Sequence, residues 1–153
     1  MKKVFALILT VCLLASMSVT AFAANTTGGD ADITTSIAPT YTVTIPANVN
    51  VQFNATETDF GAIEVTASQI HPDKCIKVAL ATDKELNNAI DNTKVIPYAI
   101  KDSEGTAFTS ATYLTEGDKT ELSIHITADD WNAAYAGDYS DTVTFTVSYE
   151  DKA

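Results

Sequence analysis

The feature that most constrains this fold is a strict alternation of apolar and polar residues near the end of the printed sequence. A Gly-Asp turn opens the stretch Ala136–Glu150, and the apolar positions that follow it are Val143, Phe145, Val147 and Tyr149. Successive side chains of a β-strand point to opposite faces, so a period of two predicts a strand with one buried face. We predict a single strand over Asp138–Glu150, with Val143, Phe145 and Val147 facing the core.

The same alternation recurs along the chain between short turn sequences. Further strand patterns cover Tyr41–Ile45, Val49–Phe53, Phe60–Ser68, Lys74–Ala81, Val95–Lys101, Phe108–Leu114 and Thr120–Ala128. Most of these segments have one apolar face and one face rich in Thr and Ser, which is typical of antiparallel sheets with one wet side. The sequence therefore predicts an all-β fold, an Ig-like antiparallel β-sandwich of seven to eight strands, with a closed barrel as the alternative.

Little helix is expected. Asp83–Ile90 is the best local helix pattern but spans only about two turns, and Asp129–Gly137 reads as a short helical turn or loop. A strand as long as Asp138–Glu150 would be an aggregation hazard if it were left unpaired. We therefore expect it inside a sheet, with Thr120–Ala128 on one side and an N-terminal strand on the other. That N-terminal strand is either Tyr41–Ile45 or the extension of a neighbouring molecule.

The first 23 residues have the composition of a secretory signal peptide. Lys2 and Lys3 precede a short apolar run, and Ala21 to Ala23 supply the small residues of a cleavage site. We predict residues 1–23 as signal peptide, 24–39 as a flexible N-terminal extension and 40–153 as the β-sandwich domain. We expect a secreted, extracellular protein with no membrane insertion after cleavage.

The charge excludes nucleic acid as a partner. The chain has 20 acidic residues, 9 lysines and no arginine, and loss of Lys2 and Lys3 would leave 7 lysines and a net charge of −13. A phosphate backbone needs clustered Lys or Arg side chains. The mature chain would contain a single cysteine, Cys75, so an intramolecular disulfide is not expected.

We find no catalytic, cofactor or metal signature in the sequence. His71 and His125 lie far apart, no Gly-x-Ser-x-Gly motif is present, and Cys75 reads as a partly buried strand residue. Aspartates that could serve calcium are Asp30, Asp32, Asp129, Asp130, Asp138 and Asp141, for which solvated turn residues are the favoured interpretation. We predict no enzyme activity, no cofactor and no bound metal.

Four residues are predicted to make interactions with a partner. Trp131 and Tyr135 are four residues apart, so on a helix they would share a face that could stack on a sugar ring. The favoured alternative is that Trp131 plugs the open end of the sandwich. Ile33 and Ile37 are in phase in the N-terminal extension, which could add as an edge strand to a neighbour.

The C-terminal stretch resembles the last strand of spore coat protein U-like and fimbrial-type domains. These end in a pattern similar to Ala136-Gly-Asp-Tyr-Ser-Asp-Thr-Val, and Phe60-Gly61, Cys75-Ile76-Lys77-Val78 and Ile96-Pro97-Tyr98 occur upstream in similar order. Tyr41–Val49 also resembles the first strand of small secreted proteins of Gram-positive bacteria. The family's usual disulfide would need an early cysteine partner for Cys75, which the mature chain lacks. The resemblance implies an exported sandwich that builds bacterial surface structures and has no catalytic residues.

Two functions follow as hypotheses. The first is a non-catalytic cell-surface or extracellular structural protein that polymerises by strand addition, with itself or other surface proteins as partners. The second is a secreted module that binds a glycan or a protein.

Overall fold

The computed structural model describes residues 30–152. The chain divides into two compact units, Met1–Thr35 and Ser36–Ala153. In the first unit the described residues 30–35 have neither helix nor strand, and their side chains are exposed. The predicted signal peptide, residues 1–23, lies outside the described residues. No helix among residues 30–152 has the length and apolar character needed to cross a membrane.

The second unit is almost entirely β, which confirms the predicted fold class. Its strands are β1 Thr40–Thr44, β2 Glu57–Gln69, β3 Lys74–Ala81, β4 Glu85–Asn88, β5 Val95–Pro97, β6 Ala99–Asp102, β7 Ser110–Tyr113, β8 Lys119–His125, β9 Tyr139–Ser140 and β10 Thr144–Asp151. One helix is described, α1 Ala128–Ala133, within the region predicted as a helical turn. Its first turn is capped by Thr127, whose hydroxyl accepts the amide hydrogen of Asp130 at 3.1 Å.

The strands form three antiparallel sheets around one core. The first sheet has the order β1-β2-β8-β6, the second β10-β3-β7 and the third β5-β4-β9. The fully buried side chains come from facing sheets: Ile63 and Val65 of β2, Ile76 and Val78 of β3, Ile96 of β5 and Ile100 of β6. Alternate residues of each strand therefore fill the space between the sheets, as in a sandwich.

Two local predictions were wrong. The segment predicted as a helix contains strand β4, which pairs with β5 and β9. Lys84 has a φ of 63°, which stops a helix there, and a helix of two turns has little stability of its own. The alternating segment Val49–Phe53 forms no strand. Pro46 ends the pattern of β1. The segment Val49–Phe53 pairs with no strand in the described part of the chain, and Phe53 is 75% exposed.

The neighbours predicted for the C-terminal strand within its own chain, Thr120–Ala128 and Tyr41–Ile45, were also wrong. The stretch divides into β9, which pairs with β4, and β10, which pairs with β3. Thr120–Ala128 contributes β8, which lies between β2 and β6, and Tyr41–Ile45 contributes β1, which pairs with β2. Consequently β10 is an edge strand of the second sheet.

Candidate functional site

The edge of β10 lacks the protection found on the other edge strands. β10 has eight residues, contains neither proline nor lysine, and pairs with β3 without a bulge. β1 has a bulge between Thr42 and Val43 and is followed by Pro46, while β5, β6 and β7 are only three or four residues long. Long unguarded edges are templates for pairing with another chain. Within residues 30–152, β10 is therefore the strand best suited to accept a further strand.

The charged residues of β10 are turned to its partner strand. Glu150 lies 3.3 Å from the ammonium group of Lys77, and Asp151 lies 2.5 Å from that of Lys74, both on β3. Hydrogen bonds from Ser148 and Lys77 lower the pKa of Glu150, so its carboxylate is well supplied with donors. These contacts join β10 to β3. The free edge is therefore left without a charged side chain that would oppose pairing with another strand.

The ladder fixes which main-chain groups face outward. The amide of Lys152, just after β10, donates to the carbonyl of Asp73, just before β3. On β3, the amide of Leu80 points away from β10 and donates to the carbonyl of Thr109, beside β7. Because main-chain directions alternate along an antiparallel strand, the even-numbered residues of β10 bond to β3. The N–H and C=O groups of Phe145, Val147 and Tyr149 therefore face the free edge.

Half-exposed apolar side chains lie along the line where β1 and β10 meet. We call this line the seam. Tyr41 and Val147 are 36% and 38% exposed, although both belong to the inward faces of their strands. Val147 therefore lies on the predicted inward face but is only partly buried, whereas Val143 and Phe145 pack against the core. A strand has two neighbours in a sheet interior, and Val147 has a neighbouring strand on one side only.

At the Val143 end the sandwich opens into an apolar cleft of about 780 Å³. Its walls are the unpaired segment 45–51 with Phe53, and residues 137–143 between α1 and β10. Its floor consists of core side chains from the surrounding elements: Phe60, Leu86, Ile96, Tyr98, Ile124, Trp131 and Phe145. The volume lies in the range of small-molecule sites. The floor is mainly apolar, whereas polar residues such as Asn48, Asn50 and Ser140 contribute to the walls.

The polar end of the cleft is a hydrogen-bonded set around Asp141. Its carboxylate accepts the hydroxyl hydrogens of Tyr98 and Thr82, the latter at 2.8 Å. It also accepts the amide hydrogen of Thr142 at 2.5 Å. Burial and the hydrogen bond to Asp141 raise the pKa of Tyr98 well above its ordinary value. The set therefore holds the wall segment to the floor and fixes a negative charge beside the aromatic lining.

Trp131 is an anchored part of the cleft. Its indole N–H donates to the carbonyl of Ala55 at 2.8 Å, and its ring meets Phe53 edge-on with centroids 5.7 Å apart. It also packs against the core cluster. The indole thus joins α1 to the turn that follows the wall segment.

Tyr135 lies in different surroundings from Trp131. It follows α1, its side chain is 63% exposed, and the ammonium group of Lys94 lies 4.8 Å from its ring centroid. Ile33 and Ile37 are 98% and 68% exposed. Of the four predicted interaction residues, only Trp131 lines the cleft. Sequence reasoning missed Tyr98 and Asp141 because their contact spans 43 positions of the chain.

The cysteine and the two histidines considered for chemistry lie apart from the cleft. Cys75 is buried, and its sulfur is 3.8 Å from the carbonyl oxygen of Asp151. His125 contacts Ser123 on its own strand, and His71 contacts Asp73. Over residues 30–152, no group of three or more His, Cys, Asp or Glu side chains is arranged to hold a metal ion.

The fold and these surfaces define the chain as an all-β sandwich with one unguarded edge strand and one apolar cleft. No family model matches the sequence, and no curated protein is similar to it. Among solved structures the chain is similar to one described as "Chaperone-tip adhesin complex is vital for synergistic activation of CFA/I fimbriae biogenesis". The TM-score is 0.46 and the identity 10%, over 74% of this chain and 43% of that one. The chain thus spans less than half of that neighbour, and a likeness this distant defines neither a family nor a function.

Proposed function

We propose that this protein is a non-catalytic structural subunit of an extracellular assembly, to which another copy adds a strand at the free edge of β10. The observation that carries the proposal is the outward direction of the main-chain groups of Phe145, Val147 and Tyr149 on an unguarded edge. Strand addition gains affinity from main-chain hydrogen bonds and specificity from alternate side chains. Bacterial surface assembly is also the role that the resemblance to fimbrial-type domains implies.

The proposed donor is the N-terminal extension, residues 24–39, of a second copy. Ile33 and Ile37 are four positions apart, so in an extended strand they share one face. That spacing equals the separation of inward positions on β10 such as Phe145 and Tyr149. Half-exposed side chains at the seam would then be covered by the donated isoleucines.

The donor and acceptor are different surfaces of the same molecule. A contact between unlike surfaces is heterologous, and it produces an open filament unless the rotation closes a ring. Strand addition at β10 therefore predicts filaments or rings in which every subunit both gives and receives one strand. Isolated dimers are not expected.

The test uses the chain without its predicted signal peptide and substitutes Val147 by proline. Proline removes only the N–H that faces the free edge, so the β10–β3 ladder keeps its hydrogen bonds. Val147→Thr is the matched control because it keeps the N–H. Light scattering and electron microscopy should show assembly for the parent and the threonine variant, and monomers for the proline variant. Assembly of the Val147→Pro variant at the parent's concentration would overturn strand addition at this edge.

The donor is tested separately by deleting Asn25–Pro39. We expect a folded monomer that no longer assembles and that binds a synthetic peptide of residues 24–39. The same peptide should not bind the deletion variant that also carries Val147→Pro. Normal assembly after deletion would exclude this donor, and loss of folding would show that the segment belongs to its own domain.

A second proposal is that the protein is a binding module for an extracellular glycan or protein, and the apolar cleft is the observation that favours it. Ligand binding there should alter the fluorescence of Trp131, the single tryptophan of the chain. A titration with candidate glycans or peptides that leaves both the emission and the melting temperature unchanged would count against it.

A further inference from the structure

We infer that the cleft binds a small organic cation with apolar substituents. An example is a quaternary ammonium that has an aromatic or aliphatic substituent. The inference deepens the binding-module proposal, and it does not depend on strand addition at β10. It rests on three observations: the aromatic lining, the sign of the charges and the fixed geometry of the walls.

Aromatic side chains line the cleft in two pairs. Phe60 and Phe145 face each other across the two sheets with ring centroids 6.1 Å apart. Phe53 and Trp131 form the edge-on pair on the other wall. Aromatic faces attract cations through the ring quadrupole, and tryptophan does so most strongly. These four rings are the groups of the lining that would contact the methyl groups of a quaternary ammonium.

Among the described residues that line the cleft, the charged side chains are Asp138 and Asp141. Neither lysine nor histidine belongs to the described residues of the lining. The chain as a whole has a net charge of −11, so an anionic ligand would be repelled both locally and at long range. The charges of the cleft therefore complement a cation and discriminate against a carboxylate of similar shape.

Hydrogen bonds hold two parts of the cleft. Asp141 is held by the hydroxyls of Tyr98 and Thr82, and the turn after the wall segment is held by the bond between Trp131 and Ala55. Side chains fixed in this way lose little further freedom on binding, which favours affinity for a rigid ligand.

The test is a fluorescence titration with benzyltrimethylammonium, in parallel with neutral benzyl alcohol and anionic phenylacetate. Trp131 is the only tryptophan, so a saturable change in its emission reports on the cleft itself. We expect the cation to bind at least about threefold more tightly than benzyl alcohol, as a modest cation–π contribution predicts, and phenylacetate to bind most weakly.

Two substitutions separate charge from ring contacts. Asp138→Asn removes an exposed carboxylate of the lining. It should lower the affinity for the cation by about threefold or more and leave the affinity for benzyl alcohol unchanged. Phe145→Leu should weaken both. Glu104→Gln, which removes an acid outside the cleft, is the matched control and should change neither.

The outcomes distinguish this inference from the broader binding-module proposal. Equal affinities for the cation, the alcohol and phenylacetate would overturn the preference for a cation but leave a ligand site. No saturable change with any of the three would overturn the inference, whereas the proposal of a glycan or protein ligand is decided by its own titration. The deletion variant lacking Asn25–Pro39 should bind the cation as the parent does. Loss of binding in this variant would show that the extension forms part of the site, and that result would overturn the assignment of the site to the cleft.

Discussion

The ring of Tyr41 in β1 stacks on the ring of Tyr149 in β10, with centroids 5.8 Å apart and planes inclined by 29°. The two strands belong to different sheets, so this contact closes the sandwich at one end of the seam. The hydroxyl of Tyr149 also accepts the amide hydrogen of His71 at 2.9 Å. Val143, beyond the other end of β10, lines the cleft.

The stacked pair should be energetically coupled. In a double-mutant cycle with Tyr41→Leu and Tyr149→Leu, measured by urea unfolding, we expect a coupling of about 0.5–1.5 kcal/mol. Tyr149→Phe keeps the stack but leaves the amide of His71 without this acceptor, and should cost about 1 kcal/mol. Additive effects of the two leucine substitutions would show that the stack does not join the sheets.

Phe145 and Val147 should respond very differently to the same charge. Phe145→Asp places a carboxylate against the core and should cost several kcal/mol of unfolding free energy. Val147→Asp places it at the half-exposed seam, and we expect a much smaller loss. The comparison is made by thermal and urea unfolding. Equal losses would mean that the seam is closed in solution.

Trp131 and Tyr135 provide a second matched pair. Trp131→Ala removes a ring that packs on the core and a hydrogen bond to Ala55, so we expect a loss on the order of 3–5 kcal/mol. Tyr135→Ala, at a mostly exposed position, should stay within about 0.5 kcal/mol. Calorimetric unfolding of both variants checks this. A stable Trp131→Ala variant would contradict the role of Trp131 as an anchor of the cleft.

Gly137 lies where no other residue fits. A Cβ there would be 2.6 Å from Nδ2 of Asn88, and the φ of Gly137 is 148°. Asn88 is buried and its side-chain oxygen accepts the amide hydrogens of Ile90 and Asp91, so it cannot move away freely. Backbone strain and overpacking, each of about 1–3 kcal/mol, should add in Gly137→Ala.

The control for this substitution is Gly117→Ala. Gly117 also has a positive φ, of 89°, but a Cβ there would meet no atom within 4 Å. It should therefore show the backbone strain alone, and a smaller fall in the melting temperature. If both variants lose the same stability, the contact with Asn88 is unimportant.

Asp118 should contribute to the loss of folding stability at acidic pH. Its carboxylate accepts the amide hydrogens of Leu114 and Thr115, at 2.7 and 2.9 Å, and these bonds lower its pKa below the ordinary 3.8. A lowered pKa in the folded state means that the contribution is fully present above pH 3.8 and is lost as the pH falls through the lowered value. Asp118→Asn should therefore unfold more easily than the parent near neutral pH, and the difference should shrink on acidification.

The measurement is the melting temperature of the parent and of Asp118→Asn between pH 7 and pH 2. Other carboxylates titrate in both proteins, so only the difference between the two curves reports on Asp118. A difference that is constant over this range would show that the loop bonds do not depend on the charge.

The sequence by itself determined most of the longer strands and their inward faces. A period of two leaves one apolar face to bury on β2, β3 and β8, and Ile63, Ile76, Val78 and Ile124 on those faces are buried in the core. The sequence also indicated a short helical turn in the region where α1 lies.

Only the tertiary structure decided which strands pair and where the sheet ends. The alternation of Val143–Tyr149 is the same for an inner and an edge strand, so it could not show that β10 has one neighbour and that Val147 is half exposed. The cleft joins side chains that are distant in sequence, such as Phe60, Tyr98 and Phe145. Local patterns report which face of a strand is apolar, whereas pairing depends on the free energy of packing the whole chain.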